Sequence, residues 1–217
     1  MPEKLNEREY RKIDISFLEL RAIDGNDGEK VVEGYATTFN QPYTLYDWGD
    51  YIVNEQIDSK AFDDCDMSDV IMQYDHKGRV FARISNGTLE LKTDNKGLHI
   101  RANLGGTETG RQLYEEIKGG YTTKMSFGFV VGEEKREVTE DRVNNVTTVL
   151  RTITKITKLY DVSAVSLPAN DATEISARSV SEGVIEDAKK ELLAVKVRQR
   201  NIKRIKLLME VENFDKT

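Results

Sequence analysis

The sequence predicts a mainly β domain with interspersed helices, an α+β arrangement, followed by a helical C-terminal arm. Three features of the chain point to this. From residue 10 to about 168, β-branched and aromatic residues come in short runs separated by Gly, Asn and Asp, as strands and tight turns require. Within that stretch, Gly105-Gly106-Thr107 and Gly119-Gly120 bracket Leu113, Tyr114 and Ile117 at helical spacing. From 181 to 213 there is no proline and only one glycine, and apolar residues recur at steps of three and four.

Taken in chain order, Ile13, Ile15 and Phe17 alternate as a first strand. Val31 to Phe39 follows the turn-like Gly25-Asn26-Asp27-Gly28, and Val70 to Tyr74 is a short apolar run. Ile57 to Phe62 reads as a short helix between them. Arg79 to Ile84, Thr88 to Lys92 and Gly97 to Leu104 are separated by Ser85-Asn86-Gly87 and Asp94-Asn95-Lys96, which predicts a meander with tight turns. The bracketed helix comes next. Met125 to Val131, Thr147 to Ile156 and Lys158 to Leu167 complete the strands, and Pro168 ends the last one.

The chain has 217 residues, enough for one substantial domain with an appendage. Charge marks the boundary near residue 180. Residues 189–206 hold eight Lys/Arg against one acid, whereas everything before 181 carries 23 basic and 31 acidic residues. The expected domains are therefore 1–180 and a basic helical arm, 181–217. Ile185, Ala188, Leu192, Val195, Ile202 and Met209, with Gln199 and Lys206 in the gaps, form a coiled-coil-like seam with polar interruptions. An amphipathic helix docked on its own domain fits the same pattern.

Several functions are excluded or disfavoured. The apolar runs fall far short of the ~20 residues of a membrane-spanning helix, and the charged start, MPEKLNEREYRK, lacks the apolar stretch of a secretory signal, so a cytoplasmic protein is expected. One cysteine, Cys65, permits neither an internal disulfide nor a thiolate metal cluster. Two histidines exclude a His-rich metal site, and Asp63, Asp64, Asp66 and Asp69 lack the spacing of a calcium loop. No phosphate-binding or dinucleotide-binding glycine motif occurs. The expectation is no cofactor and no metal. A net charge of −6 argues against nucleic acid as the principal partner.

Three residues stand out. His76, in Gln73-Tyr74-Asp75-His76-Lys77-Gly78-Arg79, follows an apolar strand into a glycine turn, where a side chain can face a cleft as a general base; an ordinary surface histidine fits there too. Ser126 shares a strand face with Gly128 and Val130, opposite Met125, Phe127, Phe129 and Val131. Beside a side-chain-free Gly128, another backbone can approach this hydroxyl, which a peptide-cleaving nucleophile needs; a small residue packed under a neighbour is the alternative. Asp161 lies inside an apolar strand, where a buried acid requires a partner or a watered barrel mouth. His99, sharing its face with Arg101 and Asn103, is expected to face solvent.

Together, Glu33-Gly34-Tyr35-Ala36, Ala61-Phe62, Asp75-His76 with Gly78-Arg79, Ser126-Phe127-Gly128-Phe129, Asp161-Val162-Ser163 and Pro168-Ala169, in this order over residues 10 to 178, resemble the prohead (capsid maturation) proteases of tailed bacteriophages. That family is related in fold to the herpesvirus assembly proteases, so the resemblance implies a β-barrel flanked by helices. It also implies Ser126 as nucleophile, His76 as base and Asp161 as the third member, the herpesvirus relatives using a second histidine and the phage branch an acid. The chain departs from the pattern in carrying Asp161 where glutamate is frequent, one methylene shorter.

The implied activity is serine endopeptidase cleavage of the scaffolding segment of the major capsid protein, and of the enzyme itself, inside the assembling prohead in the host cytoplasm. The C-terminal helix is expected to pair with scaffold or with a second copy. Two competing readings are a non-enzymatic scaffold or β-barrel binding module in which His76 and Ser126 never meet, and a basic-tail nucleic-acid binder.

Overall fold

The computed structural model describes residues 8–12, 20–24 and 29–166, together with Lys190, Leu193, Ala194 and Val197. The chain divides into two compact units, Met1–Val180 and Ser181–Thr217. In the second, the four described residues are helical and exposed. The expected seam positions, Ile185 to Met209, lie outside the described residues, as does the strand expected at Ile13 to Phe17.

The first unit is built on two strands far longer than expected. β10 (Lys124–Asp141) and β11 (Val146–Val165) run antiparallel along their whole length. The three strands expected at 125–131, 147–156 and 158–167 are therefore parts of these two. Residues 133–141 escape notice in the sequence because their side chains are mostly exposed and carry no apolar alternation. Bulges between Gly128 and Glu134 bend the pair and help curl the sheet into a half-barrel.

β11 organises its other edge in two stages. Its first half pairs in parallel with β5 (Tyr51–Ile57), which itself pairs with β4 (Tyr43–Asp47). Its second half pairs in parallel with β6 (Ile71–Tyr74), followed by β7 (Lys77–Arg83). Between β5 and β6 the chain makes turns, not the helix expected at Ile57 to Phe62. Ile57 ends β5, and Ala61 and Phe62 are buried by turns hydrogen-bonded back to Asp58 and Lys60. The outer edge of β10 is closed by β1 (Arg8–Lys12).

The second sheet has the order β2-β3-β9-β8, with β2 at Arg21–Asp24, β3 at Lys30–Thr38, β8 at Leu89–Thr93 and β9 at Gly97–Asn103. β8 and β9 form the expected hairpin, but β7 does not pair with β8. A 3-10 turn at Ile84–Asn86, ended by Gly87 with φ 74°, instead carries the chain from one sheet to the other. The predicted meander is thus a crossing followed by one hairpin. Gly97 is required where β9 meets β3, since a Cβ there would stand 2.0 Å from the Thr37 carbonyl oxygen.

α1 (Glu108–Lys118) matches its brackets. The Thr107 hydroxyl accepts from the Gly110 N–H as N-cap. At the other end Gly120, φ 75°, lets its own N–H reach Ile117 O and that of Tyr121 reach Glu116 O, a Schellman closure. Leu113, Tyr114 and Ile117 join one core with Val32, Ala36, Leu98 and Ile100 of the smaller sheet and Phe127, Phe129, Ile153 and Val162 of the larger. Burying each such side chain contributes about 1.5–3 kcal/mol, so the apolar face of β10 is fixed inward. Its other face, with Ser126 and Gly128, is fixed by the same choice.

Candidate active site

The site face follows from strand register. Ser126 stands opposite Ser163, and Gly128 opposite Asp161, across the β10–β11 ladder. Period two puts Ser126 and Gly128 of one strand on the same face as Ser163 and Asp161 of the other. β6 lies on the far side of β11, with Ile71 beside Asp161 and Tyr74 beside Ala164.

His76 reaches that face through a two-residue hairpin turn. Tyr74 pairs with Lys77, and Asp75 and His76 between them have φ of 48° and 57°. Two successive left-handed residues make a type I′ turn, for which Asn-Gly is the easy sequence. Here the backbone costs on the order of 1–3 kcal/mol per residue, and Asp75 offsets this. Its N–H donates to Ala164 O at 2.9 Å, and its carboxylate accepts from the Ser166 N–H at 3.0 Å and the Ser166 hydroxyl at 2.9 Å.

The three expected residues are brought together. His76 Nε2 lies 2.5 Å from Ser126 Oγ, and His76 Nδ1 lies 2.6 Å from Asp161 Oδ1. Since an ionised carboxylate only accepts, Nδ1 donates to Asp161 and Nε2 accepts from the Ser126 hydroxyl. Asp161 and Ser126 are fully buried, and the His76 side chain is 8% exposed. Burial pushes the Asp161 carboxyl up, but its bonds from His76 and Ser163, the charge of His76 and that of Arg8 outweigh it and hold the acid below its ordinary value.

Two neighbours of Asp161 were not anticipated. The Ser163 hydroxyl donates to Oδ1 at 2.7 Å, a partner that the i, i+2 spacing of one strand face could have revealed. Arg8 Nη2 donates to Oδ2, with its guanidinium 4.4 Å from the Tyr160 ring centroid. Nothing in REYRK signals that contact, because β1 has no apolar alternation.

Other candidates lie elsewhere. His99 belongs to the smaller sheet, half-buried with its ring edge-on to Tyr35 at 5.1 Å, so it is less open to solvent than expected. Arg151 is 4% exposed and held by Glu9, Glu55 and Glu134, so its guanidinium is not available to the Ser126 site. Asp66 is engaged by Ser68 and Lys158. Burial pushes the Cys65 thiol up to about 11, so it is a poor thiolate nucleophile. Among the described residues, no group of three or more His, Cys, Asp or Glu could hold a metal ion.

The family model of the caudovirus prohead serine proteases covers residues 16–191. No curated protein matches the chain. A solved structure, the bacteriophage T4 capsid assembly protease gp21, is similar at 11% identity and a TM-score of 0.41, over 75% of this chain and 100% of that one. With a family match spanning most of its length, this chain belongs to the caudovirus prohead serine proteases.

Proposed function

We propose that Ser126 is the nucleophile, His76 the general base and Asp161 the residue that orients and stabilises the imidazolium. The observation that supports this best is the unbroken relay from Ser126 Oγ through both His76 nitrogens to Asp161 Oδ1, at 2.5 and 2.6 Å. A serine hydroxyl is weak at neutral pH, so His76 Nε2 takes its proton as Oγ adds to the peptide carbonyl. The same nitrogen returns the proton to the departing amine, and the acyl-enzyme is hydrolysed by water activated at Nε2. Asp161, always ionised at neutral pH, keeps the Nδ1 proton in place and balances the charge gained by the ring.

The substrate we assign is the scaffolding segment of the capsid protein, together with the enzyme's own chain, cut within the assembling shell in the host cytoplasm. Residues 1–180 act as the catalytic domain and 181–217 as a basic arm that pairs with scaffold or a second copy. Membership of a serine protease family disfavours the non-enzymatic scaffold. No helix among the described residues is long and apolar enough to cross a membrane. The test is Ser126→Ala: cleavage of co-expressed capsid protein and of self should cease in a protein that unfolds at the wild-type temperature. Cleavage persisting at the wild-type rate in a protease-free preparation would overturn the assignment.

A further inference from the structure

We propose that the β10 edge from Ser126 to Val130 is the edge on which the enzyme binds an extended peptide, and that its own strand β1 occupies that edge as an intramolecular stand-in. This rests on the reading of Ser126 as nucleophile. A protease acting on unfolded segments needs an extended backbone beside its nucleophile, and pairing with an exposed strand edge is the general way to hold one. On β10, one edge is committed to β11 and the other is held by β1.

The polarity of β1 sets the direction proposed for a substrate. It runs antiparallel to β10, with Arg8 in register with Val130, Tyr10 with Gly128 and Lys12 with Ser126. A peptide approaching its scissile carbonyl in this direction lays the preceding residues along Phe127 to Val130 and brings the next carbonyl to the hydroxyl. Gly128, opposite Tyr10 on one side and Asp161 on the other, keeps the site face clear between them. β1 takes the edge of β10 that carries Ser126, with Lys12 in register with the buried serine, so a peptide strand cannot pair there while β1 does.

Two charged clasps hold β1. Arg8 engages the oxygen of Asp161 that His76 does not use, and so competes for the charge that would stabilise an imidazolium. On the opposite face, Glu9 takes Arg151 Nη1 at 3.1 Å and Nη2 at 3.2 Å in a buried pair. The edge therefore rests occupied, and a substrate strand that displaces β1 takes its place beside Ser126 and frees Asp161 from Arg8.

The experiment uses the full chain carrying Ser126→Ala, with a synthetic peptide of residues 6–17, NEREYRKIDISF, as the probe. Its binding is followed by fluorescence anisotropy and the amides of 8–12 by hydrogen exchange. Saturating peptide should speed exchange across 8–12. Tyr10→Pro, which removes an N–H from β1, should tighten peptide binding about tenfold or more by relieving intramolecular competition. Arg8→Gln, which keeps the backbone intact and serves if the proline variant does not fold, should tighten it several-fold. Unchanged or weaker binding in the folded variants, or peptide bound with β1 still protected, would overturn the proposal. Because binding is read without the Ser126 hydroxyl, that failure would leave the nucleophile assignment standing, and loss of that assignment would leave the binding result standing.

Discussion

His76 Nε2 sits 2.5 Å from the Ser126 hydroxyl although fifty residues separate them, because a strained turn at the end of β6 folds the ring back over β11 toward β10. The turn is clamped to Ser166 and Ala164 at the end of β11 itself. One strand thus anchors the loop carrying the base and also bears the acid.

The two histidines should separate cleanly. His76→Ala should reduce peptide hydrolysis to the level of Ser126→Ala, while His99→Ala, whose contact is the Tyr35 ring in the other sheet, should retain activity within about twofold of wild type. Steady-state kinetics on a peptide substrate check this, and a reversed pair of effects would assign the base to the wrong residue.

Asp161→Asn should keep the fold and lower kcat on the order of 10^4-fold at neutral pH by favouring the wrong imidazole tautomer. The folded-state pKa of Asp161 lies below its unfolded value, so its stabilisation is complete above the ordinary carboxylate range and is lost as pH falls through the lower folded value. Thermal unfolding of Ser126→Ala with and without Asp161→Asn should therefore differ near neutrality, and the difference should shrink only below about pH 4.

Arg151 joins three carboxylates, Glu9, Glu55 and Glu134; Glu134 also takes Arg136 Nε at 2.7 Å, and Glu55 accepts from the Tyr43 hydroxyl at 2.5 Å. Arg151→Met leaves those acids facing one another in the sheet and should destabilise the protein by about 3–5 kcal/mol. Urea unfolding measures this; a loss below about 1 kcal/mol would mean that the cluster is effectively solvated.

A chain ending at residue 180 should hydrolyse an unstructured peptide at close to the full-length rate yet fail to enter assembling shells. The expectation comes from the basic composition of 189–206, which an acidic partner can match. Unfolding of the shortened chain would show instead that the arm belongs to the domain core.

Much of this site is legible in the sequence because it depends on strand period and turn chemistry. Met125, Phe127 and Phe129 point inward and force Ser126 to the other face, while the buried Asp161 announces its need for partners. α1 is equally plain from its glycines and Thr107. β1, β2, β4 and β5 are not. Their stability comes from pairing with long neighbours, and in β5 the buried row Tyr51, Val53, Glu55, Ile57 includes an acid that pattern reading counts as exposed. The same holds for Arg151, whose burial alongside Val149 and Ile153 depends on carboxylates from three other strands.

The central claim is that His76 activates Ser126. A fluorophosphonate probe, which reacts with a hydroxyl only when its proton is removed, tests it by intact-mass and peptide-mapping spectrometry on the full chain. Labelling should occur once per chain, map to Ser126, leave Cys65 untouched and vanish in His76→Ala. Labelling at another serine, or at Ser126 with undiminished rate in folded His76→Ala, would contradict it.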